Sequence, residues 1–452
     1  MMRVELFHDP GLGNGSYLVQ VAAGKALLVD PDRRVRRYLQ TAEQLELEIV
    51  AVAETHLHAD FVSGALDVRR ATGAELLVPA GADVGFTHRA VQPGERVAVA
   101  DVELEVRATP GHSPEHVAYV TRDDAGVVVF SGGSMIAGGA ARTDLVSPEM
   151  TETLTRAQFR SVREVFDDLP DETVLYPTHG SGSFCSAGAG GPHVSTLAAE
   201  RSSNVVVTFD GDEDAFVTWW PTTFPAIPTY FARMRTVNAT GPSPTAAAAV
   251  VPALAPAAFE RARQQRDALV VDCRPAERYA AAHVPGSLSI PFRASFPTWL
   301  GWLVPEDTTL LLVTEREDVT DVVEACTLVG YERLGGRLAG GVEAWVDEDL
   351  PVRSNPMIGP EDAVPWLRMG AQPLDVREPD EHALGAIAGA VLVPLGSLQA
   401  HAADLPDARP LLAYCGSGYR SVTAASILER LGIGPVVELR GGYGAWRQAH
   451  LD

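Results

Sequence analysis

The chain has 452 residues, 46% hydrophobic and 21% charged, with 36 basic against 59 acidic side chains and a formal net charge of −23. That length predicts two to four domains, each burying its own core, and the composition excludes a disordered or fibrous chain. The negative charge repels phosphate backbones and anionic lipid, so nucleic acid and membrane surfaces are poor partners.

The start, MMRVELFHDP, shows no cationic stretch followed by an apolar run, and TAAAAVVPALAPAAF is too short and too Pro-broken to span a bilayer. The four cysteines, Cys185, Cys273, Cys326 and Cys415, form no CxxC pair, which fits a reducing compartment rather than a disulfide framework. The expectation is a cytoplasmic protein.

In chain order, the apolar runs KALLVD, EIVAVAET, AELLVP, VAVADVELEVRATP, GVVVFSGG and TVLYPTHG read as strands separated by a few helical stretches. Three of the loops that follow such runs carry histidine. ETHLHADFVSG (54–64) alternates His56, His58 and Asp60, a spacing that lets imidazole and carboxylate converge on one cation. In TPGHSPEH, Pro110 and Gly111 set His112 on a tight turn, and LYPTHGSGSFC carries His179 and Cys185. A single loop histidine is ordinarily a solvated or capping residue. Three loops at the C-terminal ends of predicted strands make a shared metal pocket the better reading.

The segment NATGPSPTAAAAVVPALAPAAF (238–259) is the clearest composition shift and reads as a linker. Beyond it the chain repeats itself. VVDCRPAERYAAAHVPGSLSIPF and PLDVREPDEHALGAIAGAVLVPL align Asp272 with Asp375 and Arg274 with Arg377 at an offset of 103, while GGVEAW and GGYGAW align Trp345 with Trp446 at 101. Each copy alternates strands and helices over about 100 residues, which argues for a parallel sheet covered on both faces. The expected boundaries are 1–240, a linker at 241–256, 257–353 and 356–452, with a break at PVRSNP.

In the second copy the strand PLLAY runs into Cys415-Gly416-Ser417-Gly418-Tyr419-Arg420 and then a helix. Backbone N–H groups converge at such a junction and the helix dipole is positive there, so the nucleophilic thiolate is favoured. Gly416 and Gly418 let the backbone curl around the sulfur, and Arg420 adds positive charge. In the first copy the position equivalent to Cys415 falls between Leu312 and Thr314, in LLLVTEREDVTD, with no cysteine, glycine or matching arginine. Cys273 and Cys326 read as core residues.

The repeat resembles the rhodanese family. LDVREPDE, the Pro394 turn, CGSGYRS and LRGGYGAW match that family's pattern, with GAIAGA a departure from its usual His- and Pro-bearing turn. Cys415 and Arg420 are spaced C-x4-R, the sulfur-sized loop; phosphatases of the related fold use one residue more. The resemblance implies a persulfide carried on Cys415. The first copy resembles an inactive rhodanese-like domain, a spacer whose removal is expected to uncouple the outer sites rather than inactivate either.

Residues 1–240 resemble the metallo-β-lactamase fold, within it the persulfide dioxygenase branch. FSGGSMIAGGAARTDL matches that branch with Arg142, Thr143 and Asp144 in register, and PTYFARMRTVNATG resembles the end of this domain in dioxygenase–rhodanese fusion proteins. The implied fold is therefore multidomain α/β and α+β: an αββα sandwich followed by two rhodanese-like α/β domains. The resemblance implies one Fe(II) per chain, with zinc as the alternative, held by two histidines and an aspartate. Carried over, the histidines are His56 and His112, and the aspartate position is Gly133. Phe61 also replaces a histidine that two-metal hydrolases of this fold place after Asp60.

Three outcomes are open for the pocket: His58 as third ligand, water in the vacant position, or no metal. The expected role of Asp60 is to orient a ligand histidine. Cys185 matches a cysteine of the fusion proteins, with handling of sulfur and simple packing weighed equally. The leading expectation is an enzyme that oxidises a low-molecular-weight persulfide with O2 to sulfite and moves sulfane sulfur through Cys415. Its partners are then persulfide, thiosulfate or sulfite, and the family's habit of dimerising leaves a homo-dimer open. The alternatives are a sulfurtransferase on a metal-poor scaffold, a metal-dependent thioester or lactone hydrolase, and a sulfide-responsive binding protein.

Overall fold

The computed structural model describes residues 2–124, 126–187, 191–244, 251–315, 319–405 and 410–449. Residues 245–250 of the expected linker and 316–318 of the LLLVTEREDVTD segment lie outside the described residues. Chain contacts divide the molecule into two compact units, Met1–Ala248 with Glu324–Gly330, and Ala249–Val323 with Tyr331–Asp452. Among the described residues no helix is long and apolar enough to cross a membrane.

The first unit is built on two six-stranded sheets. One runs in spatial order Val4–Asp9, Asn14–Ala22, Lys25–Val29, Glu48–Ala53, Glu75–Pro79 and Arg89–Val91. The other runs Ser195–Thr196, Val174–Pro177, Gly126–Gly132, Val117–Asp123, Val102–Ala108 and Arg96–Val99. The run KALLVD shows why the strands read as continuous apolar stretches. Leu27 and Val29 pack between the sheets with Val106, Tyr119 and Phe130, while Ala26 and Leu28 pack outward with Tyr38 and Ala42 of helix Val35–Gln44. A strand buried on both faces needs an apolar side chain at every position. The second sheet is covered in the same way, with Val120, Val129 and Leu175 packed against Val162 of helix Pro148–Glu164. Helix, sheet, sheet, helix is the resulting layer order.

VAVADVELEVRATP is a hairpin rather than one strand, because Arg96–Val99 and Val102–Ala108 pair antiparallel about Ala100, whose φ is +51°. The strands Val102–Ala108, Gly126–Gly132 and Val174–Pro177 run in one direction, the last two in direct parallel pairing and the first through antiparallel Val117–Asp123. Their C-terminal ends therefore share an edge, and His112, Gly133 and His179 follow there.

The second unit contains two five-stranded parallel sheets of the same order. The first runs Ala253–Leu254, Leu334–Leu338, Thr309–Val313, Ala268–Asp272, Leu288–Ser289; the second runs Met357–Ile358, Val436–Leu439, Leu411–Tyr414, Gln372–Asp375, Val391–Leu392. Register resolves which first-copy residue corresponds to Cys415. Asp272 pairs with Val313 and Asp375 with Tyr414, so Thr314 is the counterpart. A threonine hydroxyl has no sulfur chemistry there. Cys273 and Cys326 are buried, and burial pushes the Cys326 thiol up.

The first copy packs against the second. Its turn and following strand lie along helix Tyr419–Arg430, which begins in the cysteine loop: the Ser289 N–H donates to Ser426 Oγ (3.0 Å), Arg430 to Gly286 O (2.7 Å), and the Tyr419 hydroxyl to Pro291 O (3.1 Å). Arg293 stacks on the Tyr419 ring at 3.3 Å, and His283 Nε2 lies 3.0 Å from Glu429 Oε2. Removing the first copy would take these contacts from the helix, so a loss of stability in the second copy is expected beside any uncoupling. His283 also stacks on Tyr279 at 3.9 Å and is fully buried. His283→Ala is accordingly expected to destabilise this unit by about 1–3 kcal/mol, measured as a fall in the urea midpoint; an unchanged midpoint would show the contact to be idle.

Candidate functional site

The first cluster forms where the strand ends converge. His56 follows Glu48–Ala53, His112 follows Val102–Ala108 and His179 follows Val174–Pro177; they are 1%, 3% and 0% exposed. Gly111 is required before His112, since its φ is +152° and a Cβ there would stand 2.2 Å from Gln158 Oε1. One ligand atom from each of His56, His112 and His179 lies within 4.8 Å of the others, and His56 Nε2 is 3.3 Å from His179 Nε2. A second such group is His58, Asp60 and His179, and a third is Asp30, His56 and His58. His56, His58 and His112 do not form such a group among the described residues.

His58 is placed differently from the expectation. Its Nε2 lies 2.8 Å from Glu54 Oε2 and 3.4 Å from Asp30 Oδ1, and its ring stacks on Phe61 at 4.3 Å. Burial opposes charge on this ring, but the two carboxylates outweigh it and raise its pKa to about 10. His58 is thus drawn into a buried polar cluster with Asp30, whose carboxyl stays below the usual range despite burial, and Glu54, which burial raises. The other imidazoles go the opposite way. Burial and then neighbouring histidines push His56 well below its ordinary value and hold His112 and His179 at about 3. They are neutral rings with lone pairs available to a cation.

Asp60 holds Asn14, whose Nδ2 donates to Asp60 Oδ2 (2.7 Å), and Asn14 Oδ1 meets His179 Nδ1 (2.9 Å). Cys185 is fully buried beside Asp60, and burial pushes its thiol well up. Arg142 pairs bidentately with Asp144 (2.7 and 2.9 Å), and its backbone oxygen accepts from His112 Nδ1 (2.7 Å). At Gly133 a Cβ would lie 2.9 Å from both His112 Cδ2 and Ala141 Cβ. The neighbours have closed over the place where a carboxylate would project. The Gly133 N–H donates instead to His116 Nε2 (2.9 Å).

The second site lies at the end of strand Leu411–Tyr414. Cys415 is 1% exposed, and the Gly418 N–H donates to its Sγ at 3.1 Å. Gly418, at φ +95°, caps the N-terminus of helix Tyr419–Arg430. Gly416 and Ser417 form the outer lip, with Ser417 exposed, while Tyr419 is buried. The GGYG turn braces the loop from behind: Tyr443 N–H donates to Cys415 O (2.7 Å), Gly444 N–H to Gly416 O (3.0 Å), and a Cβ on Gly442 would stand 2.2 Å from Cys415 O. Arg420 is held bidentately by Glu381 (2.6 Å twice), so much of its charge is met by that carboxylate rather than directed at the sulfur. This tempers the role expected for it from spacing alone.

Comparison with known proteins agrees with this division. The metallo-β-lactamase superfamily matches residues 10–179, and the rhodanese-like domain family matches 255–348 and 364–449. The chain carries a metallo-β-lactamase domain followed by two rhodanese-like domains. The mitochondrial persulfide dioxygenase ETHE1 of Homo sapiens is 28% identical over 193 residues, 42% of this chain and 69% of that protein. A hydroxyacylglutathione hydrolase of Pseudomonas putida (strain ATCC 700007 / DSM 6899 / JCM 31910 / BCRC 17059 / LMG 24140 / F1) is 32% identical over 165 residues, 36% of this chain and 60% of that protein. A solved metallo-β-lactamase structure from Staphylococcus aureus subsp. aureus COL superposes with a TM-score of 0.66 at 29% identity, over 75% of this chain and 98% of that one.

Within the metallo-β-lactamase domain, sequence reasoning passed over Asn14, Asp30, Glu54 and Thr55, and quoted His116 without a role. The Thr55 N–H and Oγ1 both donate to Asp30 (2.7 Å each), which fixes the loop that carries His56. His116 fills the space against the Gly132–Gly133 turn, where a Cβ on Gly132 would stand 2.5 Å from its Nε2. A glycine pair at a strand end, opposite a histidine, was the available signal. For Asn14 no local pattern existed, because it meets His179 across 165 positions of chain.

Proposed function

We propose that this chain is an enzyme of sulfur metabolism that oxidises a low-molecular-weight persulfide in its metallo-β-lactamase domain and carries sulfane sulfur on Cys415. The coarse reading is supported by rhodanese-like domains joined to a domain similar to a persulfide dioxygenase. The observation that carries the finer one is the occurrence, in one chain, of a buried set of converging imidazoles and a cysteine sulfur seated on a backbone N–H. The first reaction balances as RSSH + O2 + H2O → RSH + H2SO3. In the second, the Cys415 thiolate attacks the outer sulfur of thiosulfate, a persulfide forms on Cys415 and sulfite departs.

A bound metal would supply an open site where persulfide sulfur and O2 meet. The residues present fit such an ion, since the ligand atoms of three buried imidazoles lie within 4.8 Å of one another. The chain's own contribution is orientation and exclusion of water: Arg142 O aims His112, Asn14 aims His179, and the pocket is almost wholly buried. At Cys415 the Gly418 N–H steadies negative charge on sulfur, and covalent capture keeps a reactive persulfide from diffusing away.

Hydrolysis of a glutathione thioester is the second reading, because hydroxyacylglutathione hydrolases are also relatives of the first domain. Phe61 and Gly133 count against it, since neither can ligate a second ion. The deciding measurement is O2 uptake by anaerobically purified, iron-loaded protein given glutathione persulfide, run beside S-lactoylglutathione. Persulfide-dependent O2 uptake with equimolar sulfite is the expected result. Thioester turnover without O2 uptake would replace this reading with the hydrolase, and silence on both would leave sulfurtransfer alone.

A further inference from the structure

We propose that His179 takes the place left by the missing carboxylate at Gly133, so that one ferrous ion is held by three imidazoles, His56, His112 and His179. The proposal rests on the reading of the first domain as a metal site, but not on persulfide being its substrate.

The tautomers of the three rings leave the same nitrogen free on each. Thr55 Oγ1 donates to Asp30 Oδ2 (2.7 Å), so toward His56 Nδ1, 2.8 Å away, it is the acceptor. His112 Nδ1 faces the Arg142 carbonyl at 2.7 Å and must donate. Asn14 spends its amide nitrogen on Asp60, leaving its oxygen to accept from His179 Nδ1 (2.9 Å). All three Nδ1 atoms thus carry hydrogen, and all three Nε2 atoms present bare lone pairs.

Two of those lone pairs face each other across 3.3 Å, with the third ring inside the same 4.8 Å group. Such an arrangement is repulsive when nothing positive stands between the rings. Nitrogens bound about 2.1 Å from one ion stand roughly 3.0–3.4 Å apart, which is the spacing of the His56 and His179 pair. Each ring also has the oriented outer partner that metal-bound histidines use.

His58 lacks these properties. Its Nε2 is given to Glu54 and Asp30, and it does not join His56 and His112 in one group. In the group of Asp30, His56 and His58, the carboxylate is already spent on Thr55 and His58; the set left in competition is His58, Asp60 and His179, in which Asp60 Oδ1 and His58 Nδ1 have no hydrogen-bond partner. The two sets differ in whether His56 and His112 or His58 and Asp60 complete the site.

The test is metal content and Co(II) absorption of the full chain, purified without oxygen and titrated with Fe(II) or Co(II). Wild type should bind one ion. His56→Ala, His112→Ala and His179→Ala should each weaken binding by more than about 100-fold, Asn14→Ala by about 10–100-fold, and His58→Ala by less than about 3-fold. Added imidazole should restore Co(II) binding to His179→Ala by refilling the vacated position. If that variant does not fold, His179→Gln, of similar volume, decides by the same titration.

Full occupancy in the folded His179 variant overturns the proposal. So does loss of metal in His58→Ala with retention in His56→Ala. Stoichiometric metal with no persulfide-dependent O2 uptake would instead sink the proposed substrate and leave this assignment standing.

Discussion

Cys415→Ser is expected to abolish thiosulfate:cyanide sulfurtransferase activity, lowering turnover by at least ~10³-fold. Sulfane sulfur must be held covalently between donor and acceptor, and a serine oxygen in the same loop cannot hold it. The substitution is otherwise mild: strand Leu411–Tyr414, the Gly418 N–H and the bracing turn at Gly442–Gly444 all remain. Thiocyanate formation reads the loss, and mass spectrometry should find one added sulfur atom on wild-type protein treated with thiosulfate and none on the variant. Wild-type turnover in Cys415→Ser would remove the cysteine from the mechanism. Arg420→Ala should reduce the rate far less, because Glu381 already meets much of that charge while the backbone donor to sulfur is untouched.

Arg377→Leu should be the most damaging change to stability, costing about 3–5 kcal/mol. Asp375 is 0% exposed and is bound by Arg377 through Nε (2.9 and 3.1 Å) and Nη2 (2.6 Å). The same guanidinium donates to Glu381 O (3.0 Å) and Gly385 O (2.7 Å) and stacks on Tyr443 at 4.4 Å. Burial would raise the Asp375 carboxyl, but hydrogen bonds from Arg377 and His382 outweigh it and keep the group ionised. Removing the arginine leaves a buried carboxylate with His382 and Tyr414 beside it but no guanidinium to balance its charge. Replacing both partners, Asp375→Leu with Arg377→Leu, should cost less than the single change, since no lone charge is then stranded. Urea denaturation of the three proteins decides the matter; a single variant as stable as wild type would show the pair to be dispensable.

Much of this molecule was legible in one dimension. The 103-residue offset marked two copies of one fold because a repeated strand, helix and turn leave a repeated apolar and glycine pattern. The cysteine loop was readable because all its parts are adjacent: strand, glycines, cysteine and helix start occupy about a dozen residues. The histidine loops were readable for the same reason, whereas Gly133 drew notice only through the resemblance to persulfide dioxygenases. Strands Val4–Asp9, Asn14–Ala22 and Val117–Asp123 were not picked out; polar residues interrupt the apolar signal of the first two, and the third has an apolar run of only four residues.

What only the tertiary structure decided was direction and company. Spacing put His58 beside His56, but the fold turned its Nε2 onto Glu54 and Asp30, because two buried carboxylates attract an imidazole more strongly than adjacency constrains it. His179 met His56 across 123 residues, and Asn14 met His179 across 165, through sheet pairings that no local pattern encodes. Register alone chose Thr314 as the counterpart of Cys415, between two offsets the sequence left equal. The hold of the first copy on helix Tyr419–Arg430 was likewise invisible, since hydrogen bonds such as Ser289 to Ser426 join residues 137 positions apart. Sequence named the chemistry-bearing residues wherever their signal was local. The fold chose which of them face one another, because that depends on long-range strand pairing and on the electrostatic cost of burying charge.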